Sequence, residues 1–147
     1  MTKLDTIQQT KLFEMLSRDE LAMLSTLFQT RSYNDGELIF SQGDEGDGLY
    51  LLSEGQVEVC TGRGGECKVV AVLDPPEFFG EMSVIDKEFR SASVRARGAT
   101  ELYFLPVENL MAFRRSFRDG FTFVVINIAR VISRRLRETT SRLSERL

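Results

Sequence analysis

Apolar residues recur at helical spacing in two short stretches near the start of the chain. Leu12, Phe13 and Leu16 lie in Lys11–Leu16, and Leu21, Leu24, Leu27 and Phe28 lie in Leu21–Phe28. Between them, Ser17-Arg18-Asp19-Glu20 sets a hydroxyl three residues ahead of a carboxylate, a reciprocal cap that starts the second helix. From Arg31 to Leu105 the pattern changes to short β runs split by Gly and Asp turns. These predict strands at Leu38–Phe40, Leu49–Leu52, Val57–Thr61, Lys68–Val72, Ser93–Arg97 and Glu101–Leu105. Turns at such regular spacing predict a β sandwich or closed roll, not a parallel α/β sheet. From Phe121 onward the chain reads as one long helix. Val125, Ala129, Ile132, Leu136, Thr139 and Leu143 alternate spacings of four and three, a coiled-coil seam. One protomer buries only one side of such a stripe. Packing on the protomer's own roll is expected for its first turns, and a homodimer contact from Leu136 on.

Composition narrows the function. At 147 residues and 42% hydrophobic, the chain suffices for one domain with its own core. No apolar run reaches membrane-spanning length and Met1–Thr10 is too polar for a signal peptide, so a cytoplasmic protein with no membrane contact is expected. With no histidine and two cysteines, four-ligand structural zinc, four-cysteine iron–sulfur clusters and histidine-ligated haem are excluded, and no metal or cofactor is expected. No nucleophile–base pair stands out, so no enzyme is expected. Charge is uneven. Residues 111–147 hold nine arginines and three acids, against ten basic and nineteen acidic residues in 1–110. That basic helix is read as a solvated face or a cross-paired dimer surface, with no nucleic-acid partner.

The candidate chemistry lies in FGEMSVIDKEFRSASVRA, residues 79–96. Arg90 carries a planar fork of N–H donors suited to a phosphodiester. Gly80, Glu81, Met82 and Ser83 are placed to open a one-turn helix with free N–H groups, and Gly80 permits close backbone approach. Glu81 accepts hydrogen bonds from a sugar hydroxyl, Ser91 adds a hydroxyl, and Ala92 keeps the floor small. The plainer alternative is a Glu81–Arg90 ion pair that closes a loop.

This segment resembles the phosphate-binding cassette of cyclic-nucleotide-binding domains, especially the catabolite-activator branch. The run Ser41–Val59, SQGDEGDGLYLLSEGQVEV, is similar to that family's glycine-punctuated turns. Gly43, Gly46 and Gly55 are expected at positive φ, and Val57 and Val59 facing the core. The resemblance covers about residues 12–147. It implies a mainly β fold, an eight-stranded β-roll (jelly roll) with N-terminal helices in 1–30, the roll in 31–106 with the cassette at 79–92, and C-terminal helices in 107–147 ending in a long dimerisation helix. One departure is visible. Asp74-Pro75-Pro76-Glu77 stands where the family usually has Pro-Gly-Asp, and Pro76 cannot take a positive φ, so the pocket entry is expected to differ.

The implied ligand is a cyclic nucleotide, held by Phe79, Gly80, Glu81, Met82, Ser83, Arg90, Ser91 and Ala92. SRRLRETTSRL, residues 133–143, aligns without gaps to the central helix of the catabolite-activator branch. Thr139 and Thr140 fall on two hydroxyl positions that contact the adenine amine there, one from each protomer. They read equally as seam threonines with no ligand. Arg135, one turn earlier, is within reach of Glu81. Family members selective for cyclic GMP often carry Thr after the cassette arginine; Ser91 stands here, which favours cyclic AMP over cyclic GMP. The resemblance implies a non-catalytic sensor signalling through its C-terminal helix to an unknown downstream partner. The alternatives are a ligand-silent dimerisation module, or the effector domain of a transcription regulator without its helix-turn-helix. Cys60 and Cys67 flank Gly62–Gly65. In a four-residue hairpin loop they sit opposite each other on the outward side, as a redox clip or, favoured in a reducing cytoplasm, as two free thiols.

Overall fold

Leu49–Leu52 and Leu102–Leu105 are buried at every position instead of every second one, and this sets the architecture. The computed structural model describes residues 2–62, 66–85 and 89–146, with side chains through Ser141. Its strands are β1 (Gln29–Tyr33), β2 (Leu38–Phe40), β3 (Gly48–Thr61), β4 (Lys68–Leu73), β5 (Phe78–Phe79) and β6 (Ser93–Pro106). Its helices are α1 (Lys3–Gln9), α2 (Arg18–Leu27), α3 (Met82–Ile85), α4 (Val107–Ser116) and α5 (Arg118–Arg146). All pairings are antiparallel, in the order β1-β6-β3-β4, with β2 also on β6 and β5 also on β3.

Successive strand residues face opposite sides. Here each side meets its own core. Leu49, Leu51, Phe78, Tyr103 and Leu105 turn toward the helices, where Ile7, Leu12, Leu24, Phe28, Phe113, Val124 and Ile128 cover them. Their neighbours Tyr50, Leu52, Phe79, Leu102 and Phe104 turn into the roll with Val57 and Val94. The long strands β3 and β6 each join two of the expected runs. Their register runs from Leu49↔Leu105 to Leu52↔Leu102, shifts on either side of Glu54, and resumes at Gln56↔Arg97. Gly55 at φ +86° sits in this bend, where a Cβ would meet the Ala99 carbonyl oxygen. Counting each side of the bend separately, the six strands make the eight segments of a β-roll, with β1 and β5 the two that apolar patterning overlooked.

The N-terminus differs from expectation. The first α-helix is at Lys3–Gln9, capped by Thr2 and Asp5, and Lys11–Phe13 forms only a 3-10 turn. The reason lies in α5. The Asn127 side chain, 2% exposed, donates to the carbonyl oxygens of Leu12 (3.0 Å) and Glu14 (2.8 Å), taking acceptors that a longer helix would use. The Ser17–Glu20 capping box forms and opens α2.

In α5 the face on the core is Val124, Asn127, Ile128 and Val131. The expected seam, one residue later at each step, lies about 100° further round the helix. Accordingly Leu136 is 65% exposed and Ala129 is exposed, with Val125 and Ile132 half-buried. Leu143 of that seam lies outside the described side chains. No helix among the described residues is long and apolar enough to cross a membrane.

Two turn-level expectations need correction. Gly43 and Gly55 have positive φ, but Gly46 does not; it is small because a Cβ there would run into the Ser83 hydroxyl. Cys60 and Cys67 are joined as a disulfide, not two free thiols, their Cα atoms 5.2 Å apart. Cys60 is also buried rather than outward. Gln42 crosses that end of β3, its N–H donating to Ser93 Oγ (2.8 Å) and its side-chain oxygen accepting from Gly62 N (3.3 Å). Of the expected loop, 63–65 lies outside the described residues.

The two faces of α5 make a prediction. Ile128→Ala should lower unfolding free energy by about 2–5 kcal/mol, a fully buried truncation. Ile126→Ala, at 40% exposure, should fall well short of that in the same urea titration. Equal losses would mean that the helix does not dock in this orientation.

Candidate functional site

The turn between β2 and β3 is built around Arg90. Gly43 N donates to the Arg90 carbonyl (2.9 Å) and Arg90 N donates to the Asp44 carbonyl (2.7 Å), while Glu45 bridges Phe89. These ties draw the arginine into the roll, where the residue is 7% exposed. Its guanidinium lies over the Phe40 ring, 4.2 Å from the centroid. Nη1 donates to Gly80 O (3.1 Å), and Nη2 donates to Asp47 Oδ1 (2.9 Å) and Gly48 O (3.0 Å). Nε is buried with no acceptor among the described residues. A buried donor on a cation without an acceptor is costly, about 1–3 kcal/mol or more. It marks where an anionic or carbonyl oxygen is wanted.

Gly80 makes that arrangement possible. Its φ is +77°, and a Cβ would stand 2.7 Å from Arg90 Nη1 and 3.1 Å from Gly48 O. Past this turn the chain closes one tight helical turn, with Ser83 N donating to Gly80 O (3.2 Å) and Val84 N to Glu81 O (3.1 Å). The N–H groups of Gly80 and Glu81 find no backbone acceptor among the described residues. Glu81, 8% exposed, does not pair with Arg90. Arg135 of α5 donates from Nη1 to Glu81 Oε1 (2.8 Å), and from Nη2 toward Phe78 O (3.4 Å) and Glu77 Oε2 (3.5 Å). The loop-closing ion pair of the plainer reading is thus replaced by two others, Arg90–Asp47 and Arg135–Glu81. No hydrogen bond reaches Glu81 Oε2 among the described residues.

These groups surround a cavity of about 420 Å³, within the range of small-molecule sites. Phe79, Gly80, Glu81, Met82, Ser83, Arg90, Ser91 and Ala92 all lie on its wall. Phe40, Val59, Ala71, Leu73, Phe89, Val94 and Arg135 complete it. It is therefore polar at the cassette and apolar along β3, β4 and β6. Below it the Tyr50 and Phe79 rings stack at 5.1 Å. Burial, and secondly the Asp47 carboxylate, push the Tyr50 phenol up to about 12, so it stays protonated at neutral pH. Thr139 and Thr140 are not on the wall; both are exposed, and Thr139 Oγ1 donates to the Arg135 carbonyl of its own helix (2.9 Å). Asp47 escaped sequence reasoning because its Gly-Asp-Gly setting reads as a turn. The hairpin wall of Val59, Ala71 and Leu73 escaped because small and apolar strand residues read as sheet packing and carry no ligand signal. No three metal-ligating side chains converge among the described residues.

The turn that departs from the family pattern closes through Glu77 N donating to Asp74 O (3.0 Å), with a cis bond between Pro75 and Pro76. The Gln56 amide donates to Asp74 Oδ1 (2.6 Å) and ties this turn to β3.

A β-roll with a buried arginine, a bare glycine turn and a shielded carboxylate around one cavity has the build of a small-molecule site. Residues 30–117 match the cyclic nucleotide-binding domain family. The chain belongs to that family. It is 41% identical to the cyclic AMP receptor protein of Thermus thermophilus over 86% of this chain and 57% of that protein. It is 35% identical to the cAMP-dependent protein kinase regulatory subunit of Mycosarcoma maydis over 87% of this chain and 23% of that one. The crystal structure of Thermus thermophilus catabolite activator protein superposes with a TM-score of 0.77 at 40% identity, covering 92% of this chain and 62% of that one. The chain thus spans less than two thirds of each of these relatives.

Gly80 offers a direct check on the cradle. Gly80→Ala should lose more than ~1 kcal/mol of stability, from positive φ together with collision on the guanidinium. Gly98→Ala has a similar φ, +78°, and open space around it. It should lose less in thermal denaturation. The reverse order would mean that Arg90 is not packed on Gly80.

Proposed function

We propose that this domain is a non-catalytic cyclic-AMP sensor that signals through its C-terminal helix. The observation that carries the reading is Nε of the cavity-lining Arg90, buried with no acceptor among the described residues. In this reading a cyclic phosphate oxygen supplies that acceptor, helped by the free N–H groups of Gly80 and Glu81 and by the Ser91 hydroxyl. Glu81 accepts the ribose 2′-OH on Oε2, while Arg135 keeps Oε1. The base leaves along the apolar wall of Val59, Ala71 and Leu73 toward α5. Selectivity rests on the base, because both cyclic purine nucleotides share phosphate and ribose. Thr139 and Thr140 reach the adenine amine only if α5, or the α5 of a second protomer, is brought over the cavity. The exposed Leu136 and Ala129 stripe supports a homodimer through that helix. Helix movement is the output, a two-state element biased by the ligand's differential affinity. The family's use as a module in longer proteins supports a downstream partner or domain that receives the signal.

The rival reading, a ligand-silent dimerisation module, draws on the Arg135–Glu81 pair, which already satisfies half of the carboxylate. Calorimetry with cyclic AMP and cyclic GMP separates the two. Binding is expected, with cyclic AMP preferred by roughly 1–3 kcal/mol from one or two base hydrogen bonds. Arg90→Ala should weaken it by about 2–5 kcal/mol, the cost of leaving a desolvated charge unpaired. Thr139→Val/Thr140→Val should erase the preference between the two nucleotides. No heat with either nucleotide, or wild-type affinity in Arg90→Ala, would overturn the sensor reading.

Assembly has its own test. Leu136→Glu should leave a folded monomer by sedimentation where the unmodified protein is a dimer. A monomeric wild type at high micromolar concentration with cyclic AMP present would refute the homodimer.

A further inference from the structure

Two helical faces meet at the elbow between α4 and α5 and enclose a groove of about 530 Å³. Met111, Arg114 and Arg115 come from α4, and Arg118, Phe121 and Thr122 from α5. Each set follows the spacing i, i+3, i+4, which puts three side chains on one face of a helix. Neither face is the one on the core. That role falls to Leu110 and Phe113 in α4 and to Val124 in α5. Met111 and Phe121, half-buried at the margin of the helical core, give the groove an apolar lining. The three arginines are exposed and give it a charged one.

That charge is unanswered. Among the described residues no carboxylate pairs with Arg114, Arg115 or Arg118. The acids nearby are otherwise placed. Asp119 is exposed, and Glu20, which lies against Gly120, accepts the N–H of Ser17. Like charges gathered on adjoining helix faces repel one another. Arg118 adds to the strain as a cation in the first turn of α5, where the helix dipole favours an anion. The Arg114 guanidinium rests on the Phe121 ring, 5.4 Å from its centroid, whereas Arg115 and Arg118 form no ion pair or ring contact among the described residues.

We propose that this groove docks an acidic segment of a partner protein. One apolar side chain enters beside Met111 and Phe121, and carboxylates on either side of it answer the guanidiniums. Size and lining favour that occupant. The groove is larger than a single inorganic anion fills, and its apolar part offers such an ion nothing. A nucleic acid meets two obstacles. The Phe121 ring is already covered by Arg114, so it is no open platform for a base. The whole chain carries a net charge of −3, so a long polyanion gains no overall attraction. A short acidic segment feels mainly the charges within about 8 Å at physiological ionic strength, and here those are arginines. The groove shares no lining residue with the cassette cavity, so its assignment stands apart from the cyclic-nucleotide reading.

A dye-labelled peptide with blocked ends, Glu-Glu-Leu-Glu-Glu, serves as the probe. Its fluorescence anisotropy should rise on titration with the full chain, and its affinity should fall as salt is added. Arg115→Gln/Arg118→Gln should weaken binding about tenfold or more, since most of the groove's charge is gone. The same variant should unfold at the temperature of the unmodified protein or above it, because the repulsion goes too. Serine in place of the peptide's leucine should weaken binding about fivefold or more, from lost apolar burial. No binding, equal affinity of the leucine and serine peptides, or unchanged affinity in the double variant would each overturn the proposal. A lower unfolding temperature in that variant would assign the arginines to the fold instead. Displacement of the peptide by a DNA duplex at equal charge concentration would give the groove to nucleic acid. Salt-sensitive assemblies of the unmodified protein, lost in Arg115→Gln/Arg118→Gln by sedimentation, would give it to a second copy of this chain.

Discussion

The buried guanidinium of Arg90 is the constraint on which the rest of the roll depends. A cation held inside a protein must be paired and hydrogen-bonded, or its desolvation is not offset. Phe40 offers a ring face, Gly48 and Gly80 offer carbonyl oxygens, and Asp47 offers a counter-charge from a half-exposed position. Each partner demands something of the backbone. Gly80 must be without a side chain, the Gly43–Gly48 turn must fold back onto Arg90 N and O, and β2 must place Phe40 beneath the plane. Even so Nε finds no acceptor among the described residues. Within them the arginine therefore still demands an oxygen.

That demand sits beside a short mechanical path to the C-terminal helix. Phe78 and Phe79 are adjacent in β5 and point to opposite faces, Phe79 into the roll and Phe78 into the helical core. The Phe78 carbonyl and ring both meet Arg135, whose guanidinium lies 5.1 Å from the ring centroid. Glu81, two residues past Phe79, takes the same arginine. One strand of two residues therefore separates the cavity floor from Arg135 of α5. At the other end of the same contact, Asn127 pins α5 to the Leu12–Glu14 turn. Among the described residues the helix is held by buried side chains in its first half and by Arg135 in its second.

The cavity walls differ in how they are held. The cassette wall is tied by backbone hydrogen bonds to the Gly43–Asp44 turn, whereas the β4 wall is an exposed edge strand joined at its tip by a covalent bond. The cavity is thus polar on the wall held by those backbone bonds and apolar on the wall formed by the edge strand.

Much was legible in the residues themselves. The Ser17–Glu20 box and the runs at Leu38–Phe40 and Lys68–Val72 were readable because each depends on neighbours a few positions away. Local signals also explain the error at the N-terminus: Lys11–Leu16 has helical spacing, but Asn127, more than a hundred residues later, takes its carbonyls. The partner of each charge was likewise not local. Sequence set Glu81 and Arg90 nine residues apart and made their mutual pairing plausible. Only the tertiary fold sent Arg90 to Asp47 and Glu81 to Arg135, because the roll folds the Gly46–Gly48 turn over one and lays α5 against the other. Continuous apolar runs such as Leu49–Leu52 told of burial without telling which residue faces which core; that was decided by packing helices on one face of β3 and closing the roll on the other. Residue types determined what chemistry the chain can offer, and long-range packing decided which groups were left free to offer it.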